Sequence, residues 1–302
     1  MKACFKDRAF SQAVKRKLCQ VAAFGFTNAD PGNFIKGVIN KGGWKKFCQP
    51  GLNCQSCPAA KFACPIGALQ AVNGSMDLSF SFYVVGFLLA VGVLFGRLVC
   101  GFFCPFGLLQ ELLYKIPSKK LRLKKPFTYI KYGFLALVFL APVLVTDFTG
   151  TGGPAFCRYI CPAGTLEAGL PLLAANESLR ALIGPLFWWK LGVLLLTLTG
   201  CVFIHRFFCK TGCPLGAFYG LLNRISAYRL EVDAEKCVHC GACARACPMD
   251  VDPCLTPNSP ECIRCGRCRA VCPANAVRFR FGFGPGKKKG ALTLKTNKED
   301  PV

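Results

Sequence analysis

The stretches GRLVCGFFCPFGLLQELLYKI, residues 96–116, and HRFFCKTGCPLGAFYGLLNRI, residues 205–225, match each other in register. Each carries two cysteines four residues apart, and the second is followed by proline and then glycine. Proline fits the first position of a helix, so the second cysteine of each pair is predicted to be a helix N-cap. The positive end of the helix dipole favours a thiolate there. We therefore expect four thiolates to meet at one metal site, which is either an iron–sulfur cluster or zinc. The four are Cys100, Cys104, Cys209 and Cys213.

Two more copies of the Cys-Pro-x-Gly phrase, CPIGALQ at Cys64 and CPAGTLE at Cys161, precede these stretches. Their neighbourhoods hold five candidates for one or two further sites, namely Cys54, Cys57, Cys64, Cys157 and Cys161. A disulfide is the alternative here, because these residues are predicted below to face a compartment that can be oxidising.

The chain is too apolar for an ordinary soluble domain, since 53% of its 302 residues are hydrophobic and only 18% are charged. Three runs approach the ~20 residues that span a bilayer, and a fourth is interrupted by polar residues and proline. The predicted spans are about 18–39, 78–96, 128–146 and 185–205. Residues 1–227 are thus expected to form an all-α multi-pass membrane domain of two parallel repeats. Each half reads as a cysteine motif, a span, a second cysteine motif and a short apolar helix.

Charge predicts the orientation of these spans. Residues 105–125 carry six lysines and arginines, whereas residues 148–186 carry only Arg158 and Arg180. Basic loops stay in the cytoplasm, so both termini are expected there, with the Cys100 and Cys209 motifs at the inner face. The five other cysteines then belong to the outer face. The formal charge of +23 has no nucleic-acid motif beside it, so nucleic acid is not an expected partner.

The strongest motif is the double run CVHCGACARACP, residues 237–248, and CIRCGRCRAVCP, residues 262–273. Both read C-x2-C-x2-C-x3-C-P, the bacterial ferredoxin spacing, in which the fourth cysteine binds the other cluster. One [4Fe–4S] cluster is therefore assigned to Cys237, Cys240, Cys243 and Cys272, and the other to Cys262, Cys265, Cys268 and Cys247. A pair of zinc sites is the alternative. Outside all of these sets, Cys4, Cys19, Cys48, Cys201 and Cys254 fit no pattern and are interpreted as ordinary thiols.

The segment around this double run, residues 228–281, is expected to be a small α+β ferredoxin domain. It opens with the strand-like YRLEV and closes with AVRFRF. Residues 282–302 form a basic tail with little to bury, which predicts disorder.

The paired CxxxCP motifs and the two-cluster ferredoxin run together resemble the NapH/NosR-type family of bacterial membrane polyferredoxins. The resemblance covers roughly residues 50–280. It implies four membrane helices in the bacterial cytoplasmic membrane. It also implies electron transfer between the cytoplasm or the quinone pool and an extracytoplasmic redox partner. GLNCQSCP, residues 51–58, resembles a subgroup that is associated with separate flavin-binding proteins.

We expect one-electron conduction through two ferredoxin clusters and one or two centres in the membrane domain. The sequence holds no nucleophile–base pair or carboxylate dyad, so no catalytic residue is assigned. The chain is interpreted as an electron-transfer component of an oxidoreductase system rather than a self-contained enzyme. Two alternatives stay open: a menaquinol-oxidising subunit of a respiratory reductase, and a redox-sensing regulatory or maturation factor.

Overall fold

The computed structural model describes residues 2–75, 78–144 and 154–283. A helical part occupies the chain up to Leu222, and a smaller part with two strands follows it. The longer helices are Lys2–Thr27, Pro65–Ser75, Leu78–Phe95, Pro105–Leu113, Ile130–Leu144, Pro185–Phe203 and Pro214–Leu222. The short α-helices are Gly32–Lys36, Leu98–Phe102, Ala155–Tyr159, Pro162–Gly164, Leu170–Ala175, Glu177–Arg180, Phe207–Thr211, Ala242–Arg245 and Arg267–Ala270. The segments Gly43–Lys46 and Lys125–Tyr129 are 3-10 turns, and Thr165–Gly169 is a π turn.

Within the described residues, Pro185–Phe203 is the one helix that is long and apolar enough to cross a membrane. Leu78–Phe95 and Ile130–Leu144 occupy two other runs that the sequence predicts as spans. The end of the third run and the connection after it, residues 145–153, lie outside the described residues, as does the predicted tail from residue 284. The four-span membrane domain therefore stays a prediction.

The structure divides the first predicted span, about residues 18–39, at the polar residues that interrupt it. One continuous helix covers Lys2–Thr27, and the chain leaves it just after Thr27. The polar stretch that the sequence places inside the span, Asn28 to Pro31, instead starts a loop, in which Asp30 accepts a hydrogen bond from the Asn40 amide. Proline and short polar side chains favour such a loop over a helix interior.

The two halves of the helical part pack in the same way. Helix Pro105–Leu113 packs against the first helix, which lies in its own half, and against Pro185–Phe203 of the other half. Helix Pro214–Leu222 packs against Ile130–Leu144 of its own half and against Leu78–Phe95 of the other. The cysteine-capped helices are thereby held between the halves, which places their N-termini near the middle of the core.

The ferredoxin part is docked onto the helical part. Its strands Tyr228–Val232 and Val277–Phe281 form an antiparallel pair, as the sequence predicts. The backbone N–H of Ala227 donates to the Val93 carbonyl at 2.7 Å. Arg264 is buried and donates to the Phe95 carbonyl at 2.9 Å and to the Asn223 carbonyl at 2.8 Å. These bonds fix the ferredoxin part against the end of helix Leu78–Phe95.

We expect reporter fusions at residue 120 and at the C-terminus to behave alike, and a fusion at residue 170 to behave oppositely. Arg122 forms an ion pair with Asp250 of the ferredoxin part, at 3.6 Å, so the basic connection and the ferredoxin part lie at one end of the molecule. The positive-inside rule assigns that end to the cytoplasm. Paired phosphatase and fluorescent-protein fusions measure the sides, and a translocated C-terminus would contradict the topology.

Candidate functional site

The cysteines of the two matching stretches occupy equivalent places in the fold. Cys104 and Cys213 are the N-caps of helices Pro105–Leu113 and Pro214–Leu222, so the predicted capping role is confirmed. Each sulfur accepts a hydrogen bond at 3.3 Å from the backbone N–H three residues later, from Gly107 in one case and Gly216 in the other. Helix N-termini of this kind stabilise negative charge on sulfur.

The sulfurs of Cys100, Cys104, Cys209 and Cys213 meet in one buried place, which we call the repeat site. Burial raises the pKa of Cys213 well above its ordinary value, and the thiols of Cys209, Cys100 and Cys104 raise it further. The same causes raise the pKa of Cys104. Four thiolates so close together repel one another unless a cation lies between them. The donor set and its burial therefore fit a cluster held by four thiolates.

Two arginines cross between the halves at the repeat site. Arg97 and Arg206 each lie three residues before the first cysteine of their own pair, and neither has any exposed surface. Arg97 donates to the carbonyl of Cys209 at 3.1 Å, and Arg206 donates to the carbonyl of Cys100. Sequence reasoning missed this pair, although the register of the two stretches aligns the arginines. Their charges offset the negative charge that four thiolates bring to the site.

Glycine makes room for each arginine. A Cβ added at Gly107 would lie 3.2 Å from the guanidinium of Arg206, and one added at Gly216 would lie 3.3 Å from that of Arg97. The glycine in each Cys-Pro-x-Gly phrase of the matching stretches therefore admits the arginine of the other half.

Each arginine has a buried carboxylate partner. Arg206 donates to Glu111 at 2.8 Å, and Glu111 also pairs with Arg16 and Lys17 of the first helix. Burial opposes ionisation of Glu111, but the charges of Arg206 and Arg16 hold its pKa far below its ordinary value. Glu111 is thus an anion that ties the first helix to the repeat site.

The second carboxylate comes from the ferredoxin part. Glu261 pairs with Arg97 at 2.9 Å and with Lys131. Burial opposes its ionisation too, and the charges of Arg97 and Lys131 hold its pKa below its ordinary value. Because Glu261 directly precedes Cys262, this ion pair connects a predicted cluster ligand of the ferredoxin part to the repeat site.

Four of the five outer cysteines gather in a second buried place, the distal site, formed by Cys54, Cys64, Cys157 and Cys161. Burial raises the pKa of Cys157, and the thiols of the other three raise it further. Burial and Cys64 likewise raise the pKa of Cys161 to about 12. Every cysteine whose side chain the structure describes is free, so the disulfide alternative finds no support within those residues.

Cys57 lies beside this group, because Cys54 packs against the buried cluster that Cys57 forms with Ala59 and Ala60. The sulfur of Cys57 lies 3.9 Å from the side-chain oxygen of Asn28. The five outer candidates therefore divide into a set of four that fits one cluster and one thiol beside it.

A polar residue six positions after the cysteine of each Cys-Pro-x-Gly phrase bonds a backbone group of another segment, and three of these four residues bond a cysteine of their own site. Gln70, Gln110 and Glu167 accept hydrogen bonds from the backbone N–H groups of Cys157, Cys209 and Cys54, at 3.3, 3.4 and 2.6 Å. Tyr219 donates to the carbonyl of Pro50 at 3.2 Å. Sequence reasoning missed these residues. The available signal was a polar side chain at one fixed position of an otherwise apolar repeat.

The ferredoxin part contains two cavities lined by cysteine. One of about 340 Å³, the first ferredoxin site, is lined by Cys237, Cys240, Cys243 and Cys272. One of about 390 Å³, the second ferredoxin site, is lined by Cys247, Cys262, Cys265 and Cys268. In each cavity the fourth cysteine comes from the other run, which is the arrangement that two interleaved clusters require.

Three cysteines that the sequence analysis treats as ordinary thiols lie beside these sites. Cys254 lines the first ferredoxin site, with its sulfur 3.6 Å from that of Cys243. The sulfur of Cys201 lies 3.6 Å from the side-chain oxygen of Gln110. Burial and the nearby Cys64 raise the pKa of the Cys48 thiol to about 11. Their interpretation as ordinary thiols stays a prediction, although the fold brings these three cysteines beside the sites from outside any motif. The side chain of Cys4 lies outside the described residues.

Two family models match the chain, and both describe a 4Fe-4S binding domain. The first matches residues 78–124, 132–172 and 185–232, and the second matches residues 230–251 and 257–278. The chain therefore carries 4Fe–4S binding domains in its helical part and in its ferredoxin part. No solved structure matches it.

Two of the relatives are named as ferredoxin-type or electron transport proteins. Methylamine utilization ferredoxin-type protein MauN of Paracoccus denitrificans is 27% identical over 242 residues, 77% of this chain and 74% of that protein. YccM of Escherichia coli, which is named as an electron transport protein, is 24% identical over 199 residues, 63% of this chain and 51% of YccM. Uncharacterized protein MJ0749 of Methanocaldococcus jannaschii is 30% identical over 167 residues, 52% of this chain. The chain spans about half the length of MJ0749.

These findings show 4Fe–4S binding domains in the chain and a similarity to relatives that are named as ferredoxin-type or electron transport proteins. The narrower NapH/NosR-type resemblance stays a prediction.

Changing Cys104 to Ser or Cys213 to Ser should remove the same spectroscopic centre, because both cysteines contribute to the repeat site. The centres of the ferredoxin part should persist in both variants. EPR spectra of the reduced full-length chain, with iron counts, provide the measurement. Loss of different signals in the two variants would show that the four cysteines do not share one centre.

Changing Arg206 to Gln should lower the reduction potential of the repeat-site centre, because a buried positive charge beside an anionic cluster favours the added electron. Glu111 keeps Arg16 and Lys17 as partners, so folding should survive the change. Redox titration followed by EPR measures the potential. Arg122→Gln is the control, since the Arg122 side chain is 79% exposed and should leave the potential unchanged. Equal potentials in the wild type and the Arg206 variant would contradict the assigned role.

Proposed function

We propose that this chain is a membrane-bound iron–sulfur relay in the bacterial cytoplasmic membrane. It passes single electrons between the cytoplasm or the quinone pool and an extracytoplasmic redox partner, for which a flavin-binding protein is the first candidate. The proposal is supported by the order of the four cysteine sites, which follow one another from an exposed end to the distal site. Both termini lie on the cytoplasmic side, and the four spans of the sequence analysis form the membrane domain.

The first ferredoxin site is the contact with the cytoplasm. Cys240 is exposed to solvent, whereas the cysteines of the repeat site are buried. A soluble donor or acceptor can therefore approach this site closely. The second ferredoxin site follows, because the two sites exchange their fourth cysteines and share one small domain.

The next step leads from the second ferredoxin site to the repeat site. A Cβ added at Gly101, next to Cys100, would lie 2.6 Å from the carbonyl oxygen of Ile263, next to Cys262. Lys210, next to Cys209, donates to the carbonyl of Pro248 at 3.3 Å. Residues adjacent to ligands of the two sites therefore touch at more than one point, which gives a short path between them.

The observation that carries the proposal is the contact between the repeat site and the distal site. The sulfur of Cys104 lies 3.9 Å from the carbonyl oxygen of Leu52. The backbone N–H of the following residue, Asn53, is directed at the sulfur of Cys64. One peptide unit, between Leu52 and Asn53, thus separates a cysteine of the repeat site from a cysteine of the distal site.

Helix Pro185–Phe203 gives a second estimate of the distance between the repeat site and the distal site. Lys190 donates to the carbonyl of Cys157 at 3.3 Å, and Cys201 lies beside Gln110 of the repeat site. Eleven residues of helix between them correspond to about 16 Å at 1.5 Å per residue. The hydrocarbon core of a bilayer is ~30 Å thick. The loop that carries Leu52 shortens this distance for an electron.

Quinol oxidation is the second candidate function, and one observation favours it. His205 is buried beside Tyr114, with ring centroids 5.1 Å apart, and its Nδ1 has no hydrogen-bond partner among the described residues. Such a nitrogen could accept a proton from a quinol.

Changing Gly51 to Ala should slow electron passage through the membrane domain. A Cβ there would lie 2.8 Å from the Cα of Cys104 and 2.8 Å from the carbonyl oxygen of Phe103, so the loop that carries Leu52 must shift. The protein is reconstituted into vesicles that enclose ferricyanide, and an impermeant reductant is added on the side of the ferredoxin part. Wild-type protein should bleach the ferricyanide, and the Gly51 variant should bleach it at least tenfold more slowly.

Gly192→Ala is the matched control, because nothing lies within 4 Å of a Cβ added there. It should match the wild type. EPR of the Gly51 variant should still show every cluster. Slow bleaching of ferricyanide then reflects a damaged electron path and not a loss of iron. Vesicles with wild-type protein that leave ferricyanide unreduced would reject the relay itself.

A further inference from the structure

Five cysteines surround the first ferredoxin site, although a cubane cluster takes four thiolates. Cys254 joins Cys237, Cys240, Cys243 and Cys272 in the wall of the same cavity. Its sulfur lies 3.6 Å from that of Cys243 and 3.9 Å from that of Cys237. No motif or family spacing assigns a role to Cys254, so its place here needs a separate explanation.

The second ferredoxin site has no such neighbour among the described residues. Its cavity is lined by Cys247, Cys262, Cys265 and Cys268, and by no other cysteine. The two sites are otherwise built alike, since each run opens a short helix after a glycine in the left-handed region, at Gly241 and Gly266. The extra thiol therefore distinguishes the site that contains the exposed Cys240 from the other site.

A turn holds Cys254 in place. The backbone N–H of Cys254 donates to the Asp252 carboxylate at 2.9 Å, and the backbone N–H of Thr256 donates to the Asp252 carbonyl at 2.9 Å. The Asp252 carboxylate and the sulfurs of Cys243 and Cys254 all lie within 4.8 Å of one another, a spacing that suits a shared metal ion. The segment between the two runs thus presents ligand atoms to the first ferredoxin site.

We propose that Cys254 is a reserve ligand of the first ferredoxin site, which binds iron when Cys243 or Cys237 leaves it. In the exchange, the bond from iron to the sulfur of Cys243 breaks and a bond from iron to the sulfur of Cys254 forms. The proton of the Cys254 thiol passes to the departing Cys243 thiolate, and no electron is gained or lost. The exchange keeps a cluster in the site that faces solvent and its oxidants. The inference rests on this site holding a cluster and does not depend on the relay.

The test uses the full-length chain, purified without oxygen, with Cys243→Ala compared with Cys268→Ala. These are the third cysteines of the two runs, and only the first has a spare thiol beside it. Alanine is used because a serine hydroxyl could itself bind iron. Cys243→Ala should keep the wild-type iron and sulfide content and show a shifted EPR signal. Cys268→Ala should lose about four iron atoms, as should the double variant Cys243→Ala with Cys254→Ala.

Alkylation of the loaded protein gives a second measurement that does not depend on iron yield. Iodoacetamide should modify Cys254 in the wild type and spare it in Cys243→Ala, as read by mass spectrometry of the peptide. The signal of the second ferredoxin site serves as the folding control in each variant. Equal iron loss in Cys243→Ala and Cys268→Ala, with Cys254 still reactive, would overturn the proposal. Iron loss in Cys254→Ala alone would also overturn it, since Cys254 would then be an obligatory ligand. A wild type that lacks iron in this site would instead count against the 4Fe–4S assignment.

Discussion

The structure depends on the need to balance the charge of four buried cysteines at the repeat site. Thiolates that share a dry pocket repel each other, and isolated buried charge is costly. The chain meets this constraint with Arg97 and Arg206, each supplied by one half and bonded to a cysteine carbonyl of the other. Neither half can complete the site alone. The same exchange explains why the cysteine-capped helices pack between the halves. It also explains Gly107 and Gly216, two residues after the prolines, where the arginine of the other half must pass.

The ion pairs of the two arginines connect the repeat site to the rest of the molecule. A buried guanidinium itself requires a counter-charge, and the two carboxylates come from different places. Glu111 lies in the helical part and forms ion pairs with Arg16 and Lys17, so the first helix is fixed to the repeat site. Glu261 comes from the ferredoxin part and meets Arg97 and Lys131. Docking of the ferredoxin part is therefore part of the electrostatics of the repeat site. A buried ion pair that loses one partner typically costs about 3–5 kcal/mol, which makes such docking hard to undo.

Local sequence patterns were enough to predict part of this arrangement. Proline after cysteine predicted the helix N-caps at Cys104 and Cys213, and alternating apolar residues predicted the strands Tyr228–Val232 and Val277–Phe281. Helix Lys2–Thr27 was not predicted as one element, because its basic residues served only to assign the N-terminus to the cytoplasm. Cys254 and the crossed arginines were missed for a different reason. Their roles come from contacts between segments far apart in the chain, and no local pattern encodes such contacts. Sequence position alone also could not divide the five outer cysteines, of which Cys57 contacts Asn28 and packs beside Cys54.

The loop before Cys54 shows how the same packing brings the sites close together. Gly51 lies against the backbone of Cys104, where any side chain would collide with it. That contact lets Leu52 reach the repeat site with its backbone while Asn53 reaches Cys64 of the distal site. Tyr219, which is fully buried, holds the loop through Pro50 and lies where cysteines of both sites affect its ionisation. Along helix Pro185–Phe203, the residues that contact the two sites are about 16 Å apart at 1.5 Å per residue. A loop inserted crosswise needs only one peptide unit, provided that its polar backbone groups find partners. Those partners are the sulfurs of Cys104 and Cys64 and the hydroxyl of Tyr219. The groups that anchor the loop therefore also lie at the two ends of the path between the sites.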